Sequence, residues 1–323
     1  MSKSLQNGVA AVEGSVLTGW RYRAVIITLL LGAAGYLALS AWVGWEGMAK
    51  ALRQFGLVGL GFALSLTVLS LTMRLFRWQL YLGRLSIRLP FMASTRIYIG
   101  GLALTATPGK AGEAIRGIFL KRWGVDHLRS LSIFFADRFT DLIAVMLLAA
   151  GGVWSKPEAW PAAAALLAFI GIILLVIQTP SLYAALMQRL SALIHWQRAK
   201  NLFQYSAQVL THCNTLFSPR VFLSGLLLAV FAWGLEAVNF YWINSLLHIE
   251  ILFSTAVFIY AFAKLVGAIS MIPGGFGSTE ATLVALLVFN GADETSAVAC
   301  ALILRLTTFW FVVSLGMLAL PKK

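Results

Sequence analysis

The chain has 323 residues, 60% of them hydrophobic and 11% charged. With several apolar runs of about 18 residues or more, that composition excludes a water-soluble globular protein and indicates a helical integral membrane protein. The formal net charge of +13 raises nucleic acid as a partner, but the basic residues lie between hydrophobic segments, as positive-inside loops do, and nucleic acid is set aside.

Residues 1–20 read as a polar cytoplasmic tail, and 21–320 as one transmembrane domain. The start, MSKSLQNGVAAVEGSV, lacks the charged and apolar regions of a cleaved leader, so no removable signal peptide is expected. A first span is expected from Ala24 to Val43, with Arg21, Arg23, Trp42 and Trp45 as interface anchors. Glu46 to Phe55 reads as a polar loop, and a second span runs from Leu57 to Leu82. At its far end Arg74, Arg77 and Arg84 are expected to snorkel towards headgroups.

Next comes TATPGKAGEAIR, Thr105 to Arg116, set in apolar sequence. Pro-Gly followed by charges cannot face lipid, where each unpaired backbone group costs several kcal/mol. A re-entrant hairpin is the expected form, with arms Phe91 to Thr107 and Ala111 to Lys121. The second arm would be roughly 16 Å long, too short for a ~30 Å hydrocarbon core. Spans follow at Leu131 to Val153 and Ala159 to Gln178. The segment 180–219 has the apolar spacing of an amphipathic interfacial helix. A span from Val221 to Leu247, a second hairpin from Leu252 to Asn290 and a last span from Ser296 to Leu320 complete the chain.

The second hairpin carries IPGGFGSTEATLVAL, an echo of the first motif. Glu113 and Glu280 are 167 positions apart, as are Arg138 and Arg305, and Thr140 and Thr307. Charged residues inside apolar segments are scarce, so this register indicates a duplication, with repeat one at about 57–153 and repeat two at about 221–320. Three crossings separate the hairpins, so they enter from opposite faces and the repeat is inverted, the plan of many secondary transporters. The fold expected is all-α and polytopic, with about six full spans plus two re-entrant hairpins. Arg84, Arg88, Lys121, Arg122, Arg129 and Arg220 fall on one face and Lys50, Arg53 and Lys156 on the other, which makes both termini cytoplasmic.

A half-helix beginning after Pro-Gly points free N–H groups and its positive dipole end inward. Gly109, Lys110 and Gly112 would then form a phosphate or carboxylate site, mirrored by Gly274, Gly275, Ser278 and Thr279; the plain alternative is that Pro-Gly only turns the chain. Glu113 with Arg138, and Glu280 with Arg305, either pin each hairpin to its neighbour or bind and release an anionic headgroup. Asp137 and Asp141 share a helix face beside Arg138. Glu236 is a further coupling candidate, and Arg96 and Lys264 could line the same cavity. His127, His195, His212 and His248 have no ligand spacing, and Cys213 and Cys300 are too few and too apolar in setting for a disulfide framework or zinc site, so no metal and no cofactor is expected.

PGKAGEAIR followed by ADRFTDL, and IPGGFGSTEATLVALL followed by LRLTTF, resemble the bacterial and archaeal flippase-like family typified by the transmembrane domain of lysylphosphatidylglycerol synthase. The resemblance spans nearly the whole chain and implies movement of lipids with charged headgroups between leaflets. The synthases carry a soluble aminoacyl-transfer domain after the membrane region, whereas this sequence stops at Lys323, so synthesis of an aminoacylated lipid is not expected. The resemblance leaves the substrate of such stand-alone members undefined, and proteins related to them are associated with polyprenyl-phosphate-linked sugars. The expected function is therefore transport of an anionic phospholipid or polyprenyl-phosphate-linked lipid in a bacterial cytoplasmic membrane, and not catalysis. The alternatives are a small-anion transporter and a polyprenyl-phosphate-dependent transferase. The expected partner is the anionic lipid itself; a homodimer and contact with envelope-biosynthesis enzymes are left open.

Overall fold

The computed structural model describes residues 45–103, 105, 116–152, 158, 160–179, 189 and 213–319. The expected first span and nearly all of the expected interfacial helix lie outside the described residues. Every described element is helical or a turn. In order they are α1 (Trp45–Arg84), α2 (Phe91–Leu102), α3 (Arg116–Lys121), α4 (His127–Gly152), α5 (Trp160–Gln178), α6 (Pro219–Leu246), α7 (Phe253–Ile269), a 3-10 turn (Pro273–Gly275), α8 (Ser278–Phe289), α9 (Glu294–Arg305), a π turn (Leu306–Trp310) and α10 (Phe311–Ala319). Ala49–Arg84, Pro219–Leu246 and Glu294–Ala319 are long and apolar enough to cross a membrane. The molecule is a multi-pass helical membrane protein.

One expected loop is helix instead. Glu46 to Phe55 forms the first turns of α1, and the chain bends at Gly56 (φ 62°, ψ 179°). Ala51 and Phe55, four apart, are buried beside Leu247 and Ile249 while Lys50 and Arg53 face outward. The charges that suggested a loop are the wet side of a short amphipathic helix. The expected last span is also modified, because a π turn interrupts it just after Arg305. Thr307 and Thr308 bond back to the carbonyls of Ile303 and Leu304 there.

The bundle has two distinguishable ends. At one, the last turns of α1 meet the start of α2 through Trp78 Nε1 donating to Ser94 Oγ at 3.0 Å. The same end holds the start of α4 and the approach to α6, joined by Cys213 with Ser132 and by the Phe139–Phe217 ring contact. At the other end, Tyr241 near the close of α6 packs edge-on against Phe253 at the start of α7. Gly47 at the start of α1 lies against Thr295 at the start of α9. Arg84, Arg88, Lys121, Arg122, Arg129 and Arg220 belong to segments of the first end. Lys50 and Arg53 belong to the second, beside Glu46, Glu250, Asp293 and Glu294.

Helix boundaries repeat as well as residues. His127 begins α4; moved by the offset that relates Arg138 to Arg305, it lands on Glu294, the first residue of α9. Leu102 and Ile269, which close α2 and α7, have the same relation. Packing is exchanged between the two sets: α7 lies along α4, α2 lies along α10, and α1 lies along α6. Glycine permits both crossings. A Cβ on Gly152 would collide with the backbone of Phe258, and one on Gly316 with the backbone of Ala103. Side chains there would force the helices apart and lose dispersion contacts along the crossing.

Candidate functional site

The site is built from charges that the helices hold inside the bundle. On α1, Arg74, Arg77 and Tyr81 fall at helical spacing and face α4, whose Asp137, Thr140 and Asp141 fall on one face in turn. Tyr81 meets Thr140 at 2.9 Å between hydroxyl oxygens. Arg77, fully buried, places Nη2 at 2.7 Å from Oδ1 of both Asp137 and Asp141. Arg74 donates to Glu236 of α6 at 2.7 Å and lies 3.7 Å from Asp141. Glu236 also accepts from the Tyr260 hydroxyl and lies 3.7 Å from Lys264 Nζ, both on α7. Arg138 completes the network, 2.6 Å from Asp137 and 3.1 Å from Asp141. Trp233 Nε1 donates to Asp141 at 3.0 Å, and its ring lies 4.1 Å from the Arg74 guanidinium carbon.

A second, smaller cluster sits at the turn between α7 and α8. Arg305 Nε donates to Glu280 Oε1 at 2.7 Å, and Nη2 donates to the carbonyls of Gly274 and Gly275 at 2.9 and 3.1 Å. Gly274 and Gly275 have φ of 62° and 65°, a conformation that costs an L side chain roughly 1–2 kcal/mol and turns both carbonyls onto the arginine. Phe276 and Phe309 pack over the guanidinium.

Between the clusters lies a crevice. Its main chamber, of about 370 Å³, is lined by Arg138, Asp141, Trp233, Lys264, Thr279 and Arg305, with Leu142, Val145, Leu265, Ala268, Met271 and Ile272 completing the wall. A smaller recess of about 70 Å³ shares Thr105, Arg138, Trp233, Lys264 and Phe309 with it and adds Arg74 and Glu236. Taken together, Arg74, Arg77, Arg138, Lys264 and Arg305 stand among Asp137, Asp141, Glu236 and Glu280 on and behind the crevice walls.

Of the residues singled out in the sequence, Arg138, Asp141, Lys264, Glu236, Gly274, Gly275, Thr279 and Arg305 converge on this crevice. Asp137 stands directly behind it, 1% exposed, and Glu280 lies behind Arg305. Ser278 bonds instead to Ser270 across the hairpin turn. Arg96 is exposed and lines neither chamber, because it occupies the outward face of α2. Gly109, Lys110, Gly112 and Glu113 lie outside the described residues. At the second motif the glycines offer carbonyls to Arg305, where the sequence suggested N–H groups for an anion.

Two residues behave unlike the sequence expectation. Arg74 and Arg77 do not snorkel: they are 8% and 0% exposed because α4 and α6 supply carboxylates at their depth. Their spacing with Tyr81 on one face carried that signal, since snorkelling arginines have no reason to align with a buried tyrosine. Trp233 and Tyr260 were not anticipated; nothing in an apolar helix marks which aromatic carries a buried polar contact.

Comparison with known proteins identifies the family. Residues 25–316 match the model of the lysylphosphatidylglycerol synthase TM region. The chain is similar to a UPF0104 membrane protein of Methanothermobacter thermautotrophicus, 26% identical over 302 residues, covering 87% of this chain and 88% of the relative. It is also similar to a UPF0104 membrane protein of Pyrococcus horikoshii, 24% identical over 316 residues, covering 90% of this chain and 94% of that one. With nearly its whole length matched, the chain belongs to the family of the lysylphosphatidylglycerol synthase transmembrane region.

Proposed function

We propose that this protein is a lipid transporter, not an enzyme, that carries an anionic phospholipid or polyprenyl-phosphate-linked lipid between leaflets of a cytoplasmic membrane. The observation that carries the reading is the crevice enclosed by apolar helices, with Arg138, Lys264 and Arg305 on its wall. A phosphodiester carries negative charge that such cations would hold. Ionisable groups inside spans cost roughly 2.5–3.5 kcal/mol each on insertion scales and mark pathways by default. Arg138, Lys264 and Arg74 would hold the phosphate, each charge-assisted hydrogen bond contributing about 1.5–3 kcal/mol. Asp141 and Glu236 would take the cations back when the headgroup leaves.

The architecture proposed with it is an inverted repeat of two re-entrant hairpins. The exchanged packing of α7 with α4 and α2 with α10 supports it, because a two-fold relation maps each contact onto the other. So do the ends: α2 begins and α3 finishes at the basic end, while α7 begins and α8 finishes at the acidic one. At ~1.5 Å per residue the 17 residues of α7 and the 12 of α8 span about 25 and 18 Å, short of a ~30 Å core. The basic end would face the cytoplasm, with both termini on that side.

Purified protein in liposomes tests the function. With acyl-labelled fluorescent phosphatidylglycerol in both leaflets, dithionite should bleach nearly all the fluorescence if lipid exchanges, and about half if it does not. Bleaching that stops at half in the presence of folded protein, for both phosphatidylglycerol and a polyprenyl phosphate, would refute the reading.

A further inference from the structure

The walls of the crevice change character from inside to outside. Inside, Arg138 and Lys264 have side chains 20% and 17% exposed, and Asp141 and Arg305 less. At the mouth stand Leu142 of α4 and Ala268, Met271 and Ile272 at the end of α7, all exposed, with Met271 at 61%. Along α4 the residues Arg138, Asp141, Leu142 and Val145 form one helical stripe that passes from charged to apolar. Leu142 lies near the middle of the 26 residues of α4, so the mouth opens at the depth of hydrocarbon and not at either end of the bundle.

A passage for a water-soluble anion needs polar groups along its entrance, because a desolvated anion gains nothing from leucine and isoleucine side chains. An entrance that is apolar outside and cationic inside matches an amphiphile with its charge at one end. Resting on the lipid-transport reading above, we propose that the seam between α4 and the α7–α8 hairpin is a lateral portal. Through it the hydrocarbon chains of the lipid stay in the membrane while the phosphate occupies the crevice. Leu142, Ala268, Met271 and Ile272 are the side chains against which the chains slide. This assigns the specificity for a tailed anion over a free one to the seam, and the specificity for negative charge to Arg138 and Lys264.

The test fills the seam without touching the charges. Ala268→Trp, Leu142→Trp and Met271→Trp each add bulk at an exposed position, so at least one should insert and elute as the unaltered protein does. Leu175→Trp, on the exposed face of α5, is the control for surface bulk. Leaflet exchange of acyl-labelled phosphatidylglycerol should fall at least tenfold in the seam variants and stay unchanged in the control. The same purified variants should melt close to the unaltered protein, so that the loss is not one of folding. Seam variants that exchange lipid at the unaltered rate overturn the portal while leaving lipid transport standing. An unaltered protein that takes up glycerol phosphate into liposomes but exchanges no lipid overturns the transport reading itself, and the portal with it.

Discussion

Arg138 and Arg305 are 167 positions apart and equivalent under the proposed repeat, yet their surroundings differ. Arg305 is 4% exposed and spends its donors on Glu280 and two glycine carbonyls of its own hairpin turn. Arg138 is 20% exposed, shares Asp137 and Asp141 with Arg77, and stands on the crevice wall. The offset accounts for the divergence: Asp137 and Asp141 correspond to Leu304 and Thr308, and Arg77 to Asn244, so Arg305 has no counterpart of the Arg77–Asp137–Asp141 cluster beside it. Both arginines line the chamber, but Arg305 is held more closely by its neighbours than Arg138 is. A buried pair is held to its geometry, whereas a cation shared among several carboxylates can change partners at lower cost.

The largest expected effect is at the base of the first network. Arg77→Ala leaves Asp137 and Asp141 without their fully buried partner, and breaking such a pair costs about 3–5 kcal/mol. Thermal unfolding in detergent, followed by size exclusion, should show most of the protein lost. A variant as stable as the parent would mean that Arg77 carries no share of the fold.

Arg305→Ala should cost a similar or slightly smaller amount, because only one carboxylate is orphaned. Glu280→Leu with Arg305→Met is the sharper test, since replacing both members of a buried pair by apolar residues is often neutral or stabilising by about 1–4 kcal/mol. If Arg305 is a pin, the double variant melts near the parent and exchanges lipid within a few-fold of it. Recovered stability with abolished exchange would make Arg305 a ligand and erase the contrast with Arg138.

Arg138→Ala should act in the opposite way, with a modest effect on melting and a large one on transport. Loss of one charge-assisted contact to phosphate is worth about 1.5–3 kcal/mol, or roughly 10- to 100-fold in leaflet exchange. Exchange at the parent rate in a folded Arg138→Ala protein would leave the crevice without its proposed ligand.

The smallest effect concerns the acidic end. Asp293 caps α9, accepting from Ser296 N at 2.9 Å. The Ser296 side chain and backbone hold its carboxyl below the usual carboxylate range. A lowered carboxyl favours folding at neutral pH and loses that contribution as pH falls through its native value. Asp293→Ala should cost about 1 kcal/mol at pH 7, with a smaller difference from the parent in acid, when melts are compared across pH. An unchanged gap from neutral to acid pH would show that the cap, and not its charge, matters.

How much of this was legible beforehand depends on the kind of signal. Helix α7, the turn at Pro273 and α8 follow from apolar runs broken by Pro-Gly-Gly, and the 167-residue register located both arginines. The spacing of Glu280 and Arg305 allows both a pin and a ligand, because the two have the same sequence; the coordinates add the contact between them. For Arg74 and Arg77, distance to the end of a span is a poor measure of depth. Burial is set instead by what the neighbouring helices offer, and Asp141 and Glu236 lie 64 and 162 residues from their arginines. The helix before Gly56 was missed because charge density outweighed the buried Ala51 and Phe55.

The central claim is that the crevice is a headgroup site. The most direct measurement is a cryo-electron microscopy structure of the protein in nanodiscs made with phosphatidylglycerol. The account expects phosphate density within hydrogen-bond reach of Arg138 or Lys264, with chain density leaving between Leu142 and Ala268. Lipid phosphate confined to the outer surface, with the crevice holding only water and Arg138 still on Asp137 and Asp141, would contradict it.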